Sequence, residues 1–568
     1  MEVRSLVAEE QAVAVNAGTG LMQGRLPGTR ARLARRALIM GLAAVIAVAA
    51  VYACALREAS TVITESDAAS MALQGWAVAH GNPLLHGWRL ADVSFYTIEV
   101  PEYAIAGLLL GLRPLIVPVC AAATFTILVA LAAVVARGRN RGLAGVTAAA
   151  ITVAVMAGPA LQVAGTLLTE PDHTGTAIVP LVLALVIDRA GRGWRAVALA
   201  CLVLAWGLVE DSLVLLVGVA PVILVCLARA CRDAAARPDG RPDEAAAPRA
   251  GRREVLLAGA AIAAVLVAQA AKTAIRLAGG WVLDGNGHQF VQGQALAGNA
   301  GGTLQDFLHL FSASPFGQQV GPGLILVAVH LGLAALVAVA GWIALRRYLW
   351  SGDLVAVLLA VGIVANLAVY TLLYITGLAT TQDIAPVFGM GAALAGRVLG
   401  GPLASWWQDR RARAAWPLLT AWAAVMLAVS VPPLVTARPA AAANGMLAVS
   451  LADHGLRSGI AQYWQANSVM LDSGGAITMR DVWDYGAQGG IRPYPWEEDT
   501  SLLNPQRYDA NFVVAATHSG LSVPAIEQRF GLPARSYQVG EYTVLVYDRN
   551  LLPTLSVLPA PWPGRITW

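Results

Sequence analysis

Long apolar segments alternate with short polar gaps over residues 38–436, whereas both ends of the chain are polar. A membrane-spanning helix needs about 20 apolar residues. Segments of this kind lie near 38–56, 115–136, 142–160, 321–345, 354–376 and 416–436, with shorter ones near 174–188, 196–209, 212–228, 254–271 and 384–400. The pattern predicts a mainly α-helical transmembrane bundle of about eleven helices.

The composition supports a multi-pass membrane protein. Of the 568 residues, 57% are hydrophobic and only 13% are charged, whereas soluble domains carry about 25% charged residues. No basic patch is interleaved with aromatic residues, so nucleic acid is not an expected partner. The five cysteines lie in or beside apolar segments, and no disulfide framework is predicted for the polar tail.

Arginines predict the orientation of the bundle. They precede the first apolar segment and recur in alternate gaps, at Arg137/Arg139/Arg141, Arg189/Arg192/Arg195, Arg229 to Arg253, Arg346/Arg347 and Arg410/Arg411/Arg413. By the positive-inside rule these gaps are cytoplasmic. We therefore expect a cytoplasmic tail over 1–37, a bundle over 38–436 and an extracytoplasmic domain over 437–568. The same rule makes 230–253 a cytoplasmic loop, and 57–102 and 272–320 outer loops.

The tail is predicted to be a small soluble α/β domain, because its hydrophobicity falls and turn residues separate short periodic segments. Helices are predicted at Leu447–Leu456 and Val523–Phe530, strands at Ser468–Leu471, Ala476–Met479 and Asn511–Ala516, and a hairpin at Ser536–Val539 and Tyr542–Tyr547. We also expect membrane-surface amphipathic helices in the first outer loop.

Thr64-Glu65-Ser66-Asp67 directly follows the first apolar segment. In a structural interpretation, Thr64 caps a helix over about 65–79 and the acids favour its dipole. In a functional one, Asp67, helped by Glu65, is a general base at the mouth of a cavity. The two are compatible, because a helix start holds a base in a fixed position.

Other acids fall near the same predicted membrane surface. Glu99 and Glu102 flank Pro101, and Glu210-Asp211 lies between two short apolar segments, as expected for a re-entrant turn. Ionised groups in or beside hydrocarbon cost about 2.5–3.5 kcal/mol each. These acids therefore either bind substrate or satisfy backbone groups and arginines at the helix ends.

Cations and metal ligands are few on this side. Lys272 and Arg276 are spaced one helical turn apart and either grip a lipid-linked phosphate or extend to lipid headgroups. His173 follows Glu170 and Asp172 and is either a metal ligand or a hydrogen-bonded surface residue. No HExxH or CxxC spacing supports a metal, so the sequence establishes no cofactor, and a divalent metal ion stays an option.

These features together resemble the GT-C superfamily of membrane glycosyltransferases, such as protein O-mannosyltransferases and aminoarabinose transferases. Glu65-Ser66-Asp67 matches the E-x-D form of the family's acidic motif soon after the first helix. The helix to His80, followed by Gly81-Asn82-Pro83-Leu84, resembles the next family segment. The resemblance implies a cytoplasmic N-terminus, surface helices in the first outer loop and a soluble domain after the last span.

Two departures limit what the resemblance carries over. Ile98-Glu99-Val100-Pro101-Glu102 stands where some relatives have His-Pro-Pro. Gln382-Asp383-Ile384-Ala385-Pro386 replaces the Arg-Tyr that precedes a proline in several relatives, so phosphate binding at that position does not follow.

The leading hypothesis is a glycosyltransferase that moves a sugar from a polyprenyl-phosphate carrier to an acceptor hydroxyl at the outer membrane face. Asp67 with Glu65 would be catalytic, and Glu99, Glu102, Glu210, Asp211, Lys272 and Arg276 would bind substrate. The partners would be the lipid-linked donor, membrane lipid and an acceptor of unknown kind. The alternatives are a transporter or flippase of a lipid-linked or small polar substrate, and a non-catalytic scaffold. Richness in alanine, arginine and glycine suggests a bacterial plasma membrane.

Overall fold

The structure is a computed structural model that describes residues 27–91, 93–140, 142–156, 164–169, 173–191, 193–235, 248–281, 290–317, 321, 323–373, 376–408, 434–486, 489–516 and 520–555. Internal contacts divide the chain into two units, Met1–Val51 and Tyr52–Trp568. The predicted tail 1–37 and the predicted segment 416–436 lie largely outside the described residues.

Helices make up most of the chain before residue 409. They are α1 Pro27–Ala59, α2 Ser66–Ala79, α3 Glu99–Leu110, α4 Ile116–Arg137, α5 Leu143–Met156, α6 Ala164–Leu167, α7 Ile178–Arg189, α8 Trp194–Glu210, α9 Ala220–Ala235, α10 Pro248–Leu277, α11 Ala295–Leu310, α12 Gly323–Ile343, α13 Leu354–Leu372 and α14 Ala385–Gln408. Wider π-helical turns at Leu215–Val219 and Ala344–Tyr348 adjoin α9 and α12, and a 3₁₀ turn at Leu378–Ile384 precedes α14.

Seven helices of the described residues are long and apolar enough to span a membrane. They are Gly41–Ala59, Ile116–Arg137, Leu215–Ala235, Gly251–Leu277, Gly323–Tyr348, Leu354–Leu372 and Thr380–Gln408. Every predicted apolar segment overlaps helical residues; of the segment 416–436 only residues 434–436 are described, and these are helical. The protein is therefore a multi-pass helical membrane protein, as predicted.

One end of the bundle collects arginine-rich gaps. Arg397 of α14 donates to Asp353 at 2.6 Å and lies 3.3 Å from Asp188, and it also donates to the backbone oxygen of Val135 at 2.8 Å. Arg139 donates to the backbone oxygen of Asp188. The gaps after α4 and α7 and before α13 therefore meet at the same end.

The C-terminal domain contains a six-stranded mixed sheet. Its strands are β2 Gly459–Gln462, β3 Asp481–Asp484, β4 Ile491–Pro493, β6 Phe512–Ala516, β7 Arg535–Val539 and β8 Tyr542–Val546, in the order β4-β3-β2-β6-β8-β7. β2 runs parallel to β3 and β6, and the other neighbours are antiparallel. Helices α15 Gly445–Asp453, α16 Tyr463–Asp472 and α17 Val523–Phe530 complete the domain. The predicted α/β tail is confirmed.

Two of the strands predicted for the tail are wrong. Ser468–Leu471 lies inside α16, because Tyr463, Ala466 and Val469 recur at helical spacing and are buried on one face. The segment Ser468–Leu471 is too short to show the helical spacing by itself. Ala476–Met479 contributes only an isolated bridge at Thr478, and the strand begins at Asp481.

The first loop, residues 57–102, folds against the C-terminal domain. Its strand β1 Trp88–Arg89 pairs antiparallel with β5 Glu498–Asp499, with Trp88 opposite Asp499. One apolar core holds buried residues of both parts, including Met71 and Tyr103 from the loop side and Leu447 and Phe512 from the domain. Burial of one such side chain stabilises by about 1.5–3 kcal/mol, so the two parts support each other.

The tight contact of α14 with α5 generates a stability prediction. A Cβ atom added at Gly400 would lie 2.6–2.9 Å from Cβ, Cα and backbone nitrogen of Ala148, whereas one at Gly401 would meet open space. Overpacking typically costs about 1–3 kcal/mol. G400A should therefore lower the thermal unfolding midpoint of the detergent-solubilised protein, and G401A should leave it nearly unchanged. Equal midpoints for the two variants would contradict this packing.

Candidate functional site

Asp67 lies in the first turn of α2. The helix begins at Ser66 with Glu65 as N-cap residue, and no side chain caps it. The expected Thr64 cap is therefore one residue too early. Asp67 is half-buried and Glu65 is exposed, so of the two predicted catalytic acids only Asp67 is set into the protein.

Tyr463 of the C-terminal domain contacts both Asp67 and Glu497, and we call these three residues the Asp67 cluster. The hydroxyl of Tyr463, the first residue of α16, donates to Asp67 Oδ1. The same hydroxyl lies 2.8 Å from Oε2 of Glu497, which is buried. The phenol of Tyr463 thus bridges the carboxyl groups of Asp67 and Glu497, which are 430 positions apart in the sequence.

Further bonds fix the Asp67 cluster on both sides. Ser66 Oγ donates to the backbone oxygen of Tyr463 at 2.6 Å, and Ser70 Oγ donates to that of Glu497 at 3.2 Å. The Tyr463 ring packs edge-on against Tyr494, with centroids 5.7 Å apart. Burial, with the charges of Glu497 and Asp67, raises the pKa of Tyr463 well above its ordinary value, so the phenol keeps its proton.

A buried acid pair lies behind the Asp67 cluster. Asp481 of β3 and Glu498 of β5 are 0% and 1% exposed, and the backbone N–H of Asp481 donates to Glu498 Oε1 at 2.9 Å. Both side-chain oxygens of Asp481 have no hydrogen-bond partner among the described residues. Burial raises the pKa of Glu498 to about 8. Burial and the charges of Glu498 and Glu497 also raise the pKa of Asp481.

A second group of acids, the Glu99 cluster, comprises Glu99, Glu102 and Glu210. Glu99 and Glu210 are 0% and 1% exposed, and their carboxyl groups lie close enough to interact electrostatically. Burial, and then Glu210, raise the pKa of Glu99 well above its ordinary value. Glu210 at the end of α8 accepts bonds from the backbone N–H groups of Thr97 and Ile98. The predicted turn at Glu210 therefore holds the first loop.

Glycine and threonine complete the Glu99 cluster. The backbone N–H of Gly175 donates to Glu99 Oε1 at 3.0 Å, and a Cβ atom at Gly175 would overlap that carboxyl group. Thr124 of α4 donates to Glu102. Hydrogen-bond donors from separate parts of the chain, backbone N–H groups and the Thr124 hydroxyl, thus converge on these acids.

His173 bridges Asp211 and Asp383. Its Nδ1 lies 2.6 Å from Asp211 Oδ2, and its Nε2 lies 3.3 Å from Asp383 Oδ1. Burial lowers the pKa of His173, but the two aspartates outweigh it and raise the value overall. Thr176 donates to the same Asp211 oxygen at 2.6 Å. A charged imidazolium between two carboxylates is the state that this geometry favours.

Cations approach these acids from α10. Lys272 is half-buried and close enough to Asp211 for their charges to interact, and Arg276 lies one turn further along the helix. Arg89 stacks on Trp281 beyond the end of α10, 3.8 Å from the ring centroid. The end of α10 therefore carries positive charge beside the first loop.

No group of three histidine, cysteine or acidic side chains in the described part of the chain is arranged to hold a metal ion. Glu170 and Asp172, the predicted neighbours of His173, lie outside the described residues. His173 itself is engaged by two aspartates, as in the hydrogen-bonded interpretation of its sequence context.

The structure thus collects Glu99, Glu102 and Glu210 in one cluster, places Asp211 beside it with Lys272, and joins Asp67 to the C-terminal domain. Sequence reasoning missed Tyr463 and Glu497. Glu497 has a positive φ of 51°, a strained backbone for a glutamate. Neither residue stands in a motif, and their signal lay only in the acidic, aromatic character of 481–499.

The fold is similar to that of a solved membrane enzyme. The chain superimposes on ArnT from Cupriavidus metallidurans bound to undecaprenyl phosphate, with a TM-score of 0.51 and 12% sequence identity, over 91% of this chain and 99% of ArnT. No protein-family model matches the sequence, and no curated protein matches it. The likeness confirms the GT-C fold, the fold of this aminoarabinose transferase.

The raised pKa of Glu498 predicts a pH dependence of stability. A carboxyl group with a raised pKa binds its proton more tightly in the folded state than in the unfolded state. The free energy of unfolding therefore falls as the pH rises from 4.5 to about 8. Thermal unfolding of the full chain should show a falling midpoint over this range. E498Q should flatten the fall, because an amide does not ionise, whereas the exposed control E541Q should keep it.

Proposed function

We propose that the protein is a membrane glycosyltransferase that transfers a sugar from a polyprenyl-phosphate carrier to an acceptor hydroxyl at the outer membrane face. The observation that carries this proposal is the position of Asp67, half-buried in the first turn of α2 and held by Tyr463, within a GT-C fold. The bound undecaprenyl phosphate of ArnT supports a lipid-phosphate carrier.

In the proposed reaction Asp67 removes the proton of the acceptor hydroxyl. The acceptor oxygen forms a bond to the anomeric carbon of the sugar, and the bond from that carbon to the phosphate oxygen breaks. Polyprenyl phosphate leaves with the bonding electron pair. General-base help of this kind contributes about 10²- to 10⁴-fold in rate. Glu65, exposed beside Asp67, supplies negative charge rather than the base.

The other predicted residues have supporting roles in this proposal. Lys272, with Arg276 one turn away, offsets the charge that develops on the leaving phosphate. The Glu99 cluster and Asp211 orient the acceptor or hold the walls of its cavity. Burial raises the pKa of Glu99, and a protonated carboxyl group can donate as well as accept hydrogen bonds, which suits a hydroxyl-rich substrate.

Removal of the base tests the proposal directly. D67N should lower sugar transfer from prenyl-phosphate sugars by about 10²-fold or more, while expression and membrane insertion persist. E65Q should lower the rate of sugar transfer much less, by about threefold, because Glu65 is exposed and the effect of its charge on Asp67 is screened by salt. The matched control D453N alters an exposed aspartate of the C-terminal domain and should retain activity. Full activity of D67N would remove Asp67 from the mechanism.

The phosphate contact is tested by charge removal on α10. K272Q should raise the KM for the lipid-linked donor about tenfold, because a charge-assisted hydrogen bond contributes about 1.5–3 kcal/mol. The control R346Q removes a positive charge that stacks on Trp342 at the start of an arginine-rich gap. Equal KM values for K272Q and R346Q would contradict a phosphate site at Lys272.

A further inference from the structure

Four aromatic rings of the C-terminal domain contact one another in series beside Asp67. The rings of Trp464 and Tyr463 meet edge-on with their centroids 5.2 Å apart. The centroids of Tyr463 and Tyr494 lie 5.7 Å apart, and those of Tyr494 and Trp483 lie 5.4 Å apart. Tyr463 is also the residue whose hydroxyl donates to Asp67. The tryptophans at the two ends are therefore one and two ring contacts away from the partner of the proposed base.

The outer rings of this series are open to solvent, whereas the inner rings are buried. Tyr463 and Tyr494 belong to the buried residues of the domain. Trp464 is 37% exposed and Trp483 is half-buried. Tyr485, which is 39% exposed, lies close enough to Tyr494 for the two phenols to interact electrostatically. We call the three outer residues, Trp464, Trp483 and Tyr485, the aromatic surface.

Strand β3 explains why Trp483 lies on this side of the sheet. Successive side chains of a strand point to opposite faces, and Val482 packs into the core on the other face. Arg492 of the edge strand β4 stands directly opposite Trp483 in the antiparallel pair, and such cross-strand partners share a face. Arg492 is half-buried and also interacts with Tyr485. A hydrogen-bond donor thus accompanies the rings.

This combination suits the surface of a sugar ring. The C–H groups on the flat side of a pyranose or furanose are apolar and slightly positive, so they pack on the negative face of an aromatic ring. The hydroxyl groups at the rim of the sugar need polar partners, and Arg492 and Asp67 lie at the two ends of the series. Binding sites for small molecules commonly combine aromatic walls with a few such polar groups.

We propose that Trp464, Trp483 and Tyr485 form a binding site for a saccharide, and that this saccharide is the acceptor. The inference rests on the proposed function and deepens it, because it assigns the reacting hydroxyl to a sugar. A base must come within about 2.6–3.2 Å of the oxygen that it deprotonates. The body of an acceptor that reaches Asp67 therefore lies against the residues around Asp67, and the aromatic surface supplies them.

Two other roles explain the aromatic surface less well. Core packing accounts for Tyr463 and Tyr494, but it stabilises the outer rings only in part, because their exposed area stays in water. Tryptophan and tyrosine also gather where a protein meets the membrane interface. Here the series adjoins Asp67 and Glu497, and acidic groups are costly beside hydrocarbon.

An array of oligosaccharides tests the site directly. The full chain, purified in a detergent without a sugar headgroup, is applied to an array built from hexoses, pentoses and amino sugars. We expect the wild type to bind at least one member. Absence of binding to every member would overturn the proposal. Nanodiscs made with brominated phospholipid test the membrane role, and quenching of Trp464 and Trp483 fluorescence, measured as the difference from W464A and W483A, would also overturn it.

Variants that remove one ring identify the surface used for binding. W464A and W483A should each raise the Kd of the bound saccharide about tenfold, because each loses one stacking face. W464F and W483F keep a ring and should stay within about threefold of the wild type. The matched control W342A removes an exposed tryptophan of α12 that stacks on Arg346, and it should retain the affinity.

The same variants separate stacking from packing. Thermal unfolding of each variant checks that it is folded. Equal losses of affinity in the alanine and phenylalanine variants would assign the effect to packing and overturn the stacking role. Unchanged affinity in both W464A and W483A would overturn the site itself.

Kinetics of sugar transfer to the bound saccharide separate this inference from the proposed function. W464A and W483A should raise the KM for that acceptor about tenfold and leave the KM for the lipid-linked donor unchanged. Saccharide binding without transfer from any prenyl-phosphate sugar would overturn the proposed function alone. Transfer with an acceptor KM that is unmoved in both variants would overturn the saccharide site alone.

Discussion

Apolar side chains of the first loop and of the C-terminal domain pack into a single core, with Met71 and Leu85 on one side and Leu447 and Phe512 on the other. The β1–β5 pair reinforces this core with backbone hydrogen bonds. Because α2 is clamped in this way, Asp67 has a defined position relative to Tyr463. The acidic motif is therefore part of an interdomain structure, and the C-terminal domain forms one side of the candidate site.

The two acidic clusters use different physics. In the Glu99 cluster, backbone N–H groups from several segments converge on buried carboxyls, and this arrangement closes the gap between the first loop and α8. In the Asp67 cluster, a side-chain hydroxyl is shared by two acids, and one of them is half-exposed. The first arrangement holds the first loop against α8, whereas the second holds α2 against the C-terminal domain.

The length of the apolar segments was sufficient to predict a helical membrane bundle, because spans of about 20 apolar residues leave a strong signal. Val523–Phe530 was predicted within its exact limits because Ser522 caps it and Gly531 ends it. Ser468–Leu471 was misassigned because four apolar residues do not define a period. Tyr463 and Glu497 were out of reach for a different reason: their roles depend on a contact across 396 residues, which no local pattern encodes.

That long separation has a consequence for how the protein is made. Chains fold from the N-terminus as they emerge during synthesis, and α2 is complete long before Tyr463 exists. Asp67 can acquire its phenol partner only when the chain has reached the C-terminal domain, after the described spans have been synthesised. A nascent or truncated chain therefore contains the acidic motif without Tyr463 and Glu497 beside it. Assembly of the site is tied to synthesis of the C-terminal domain, so chains that stop before Tyr463 lack the full cluster.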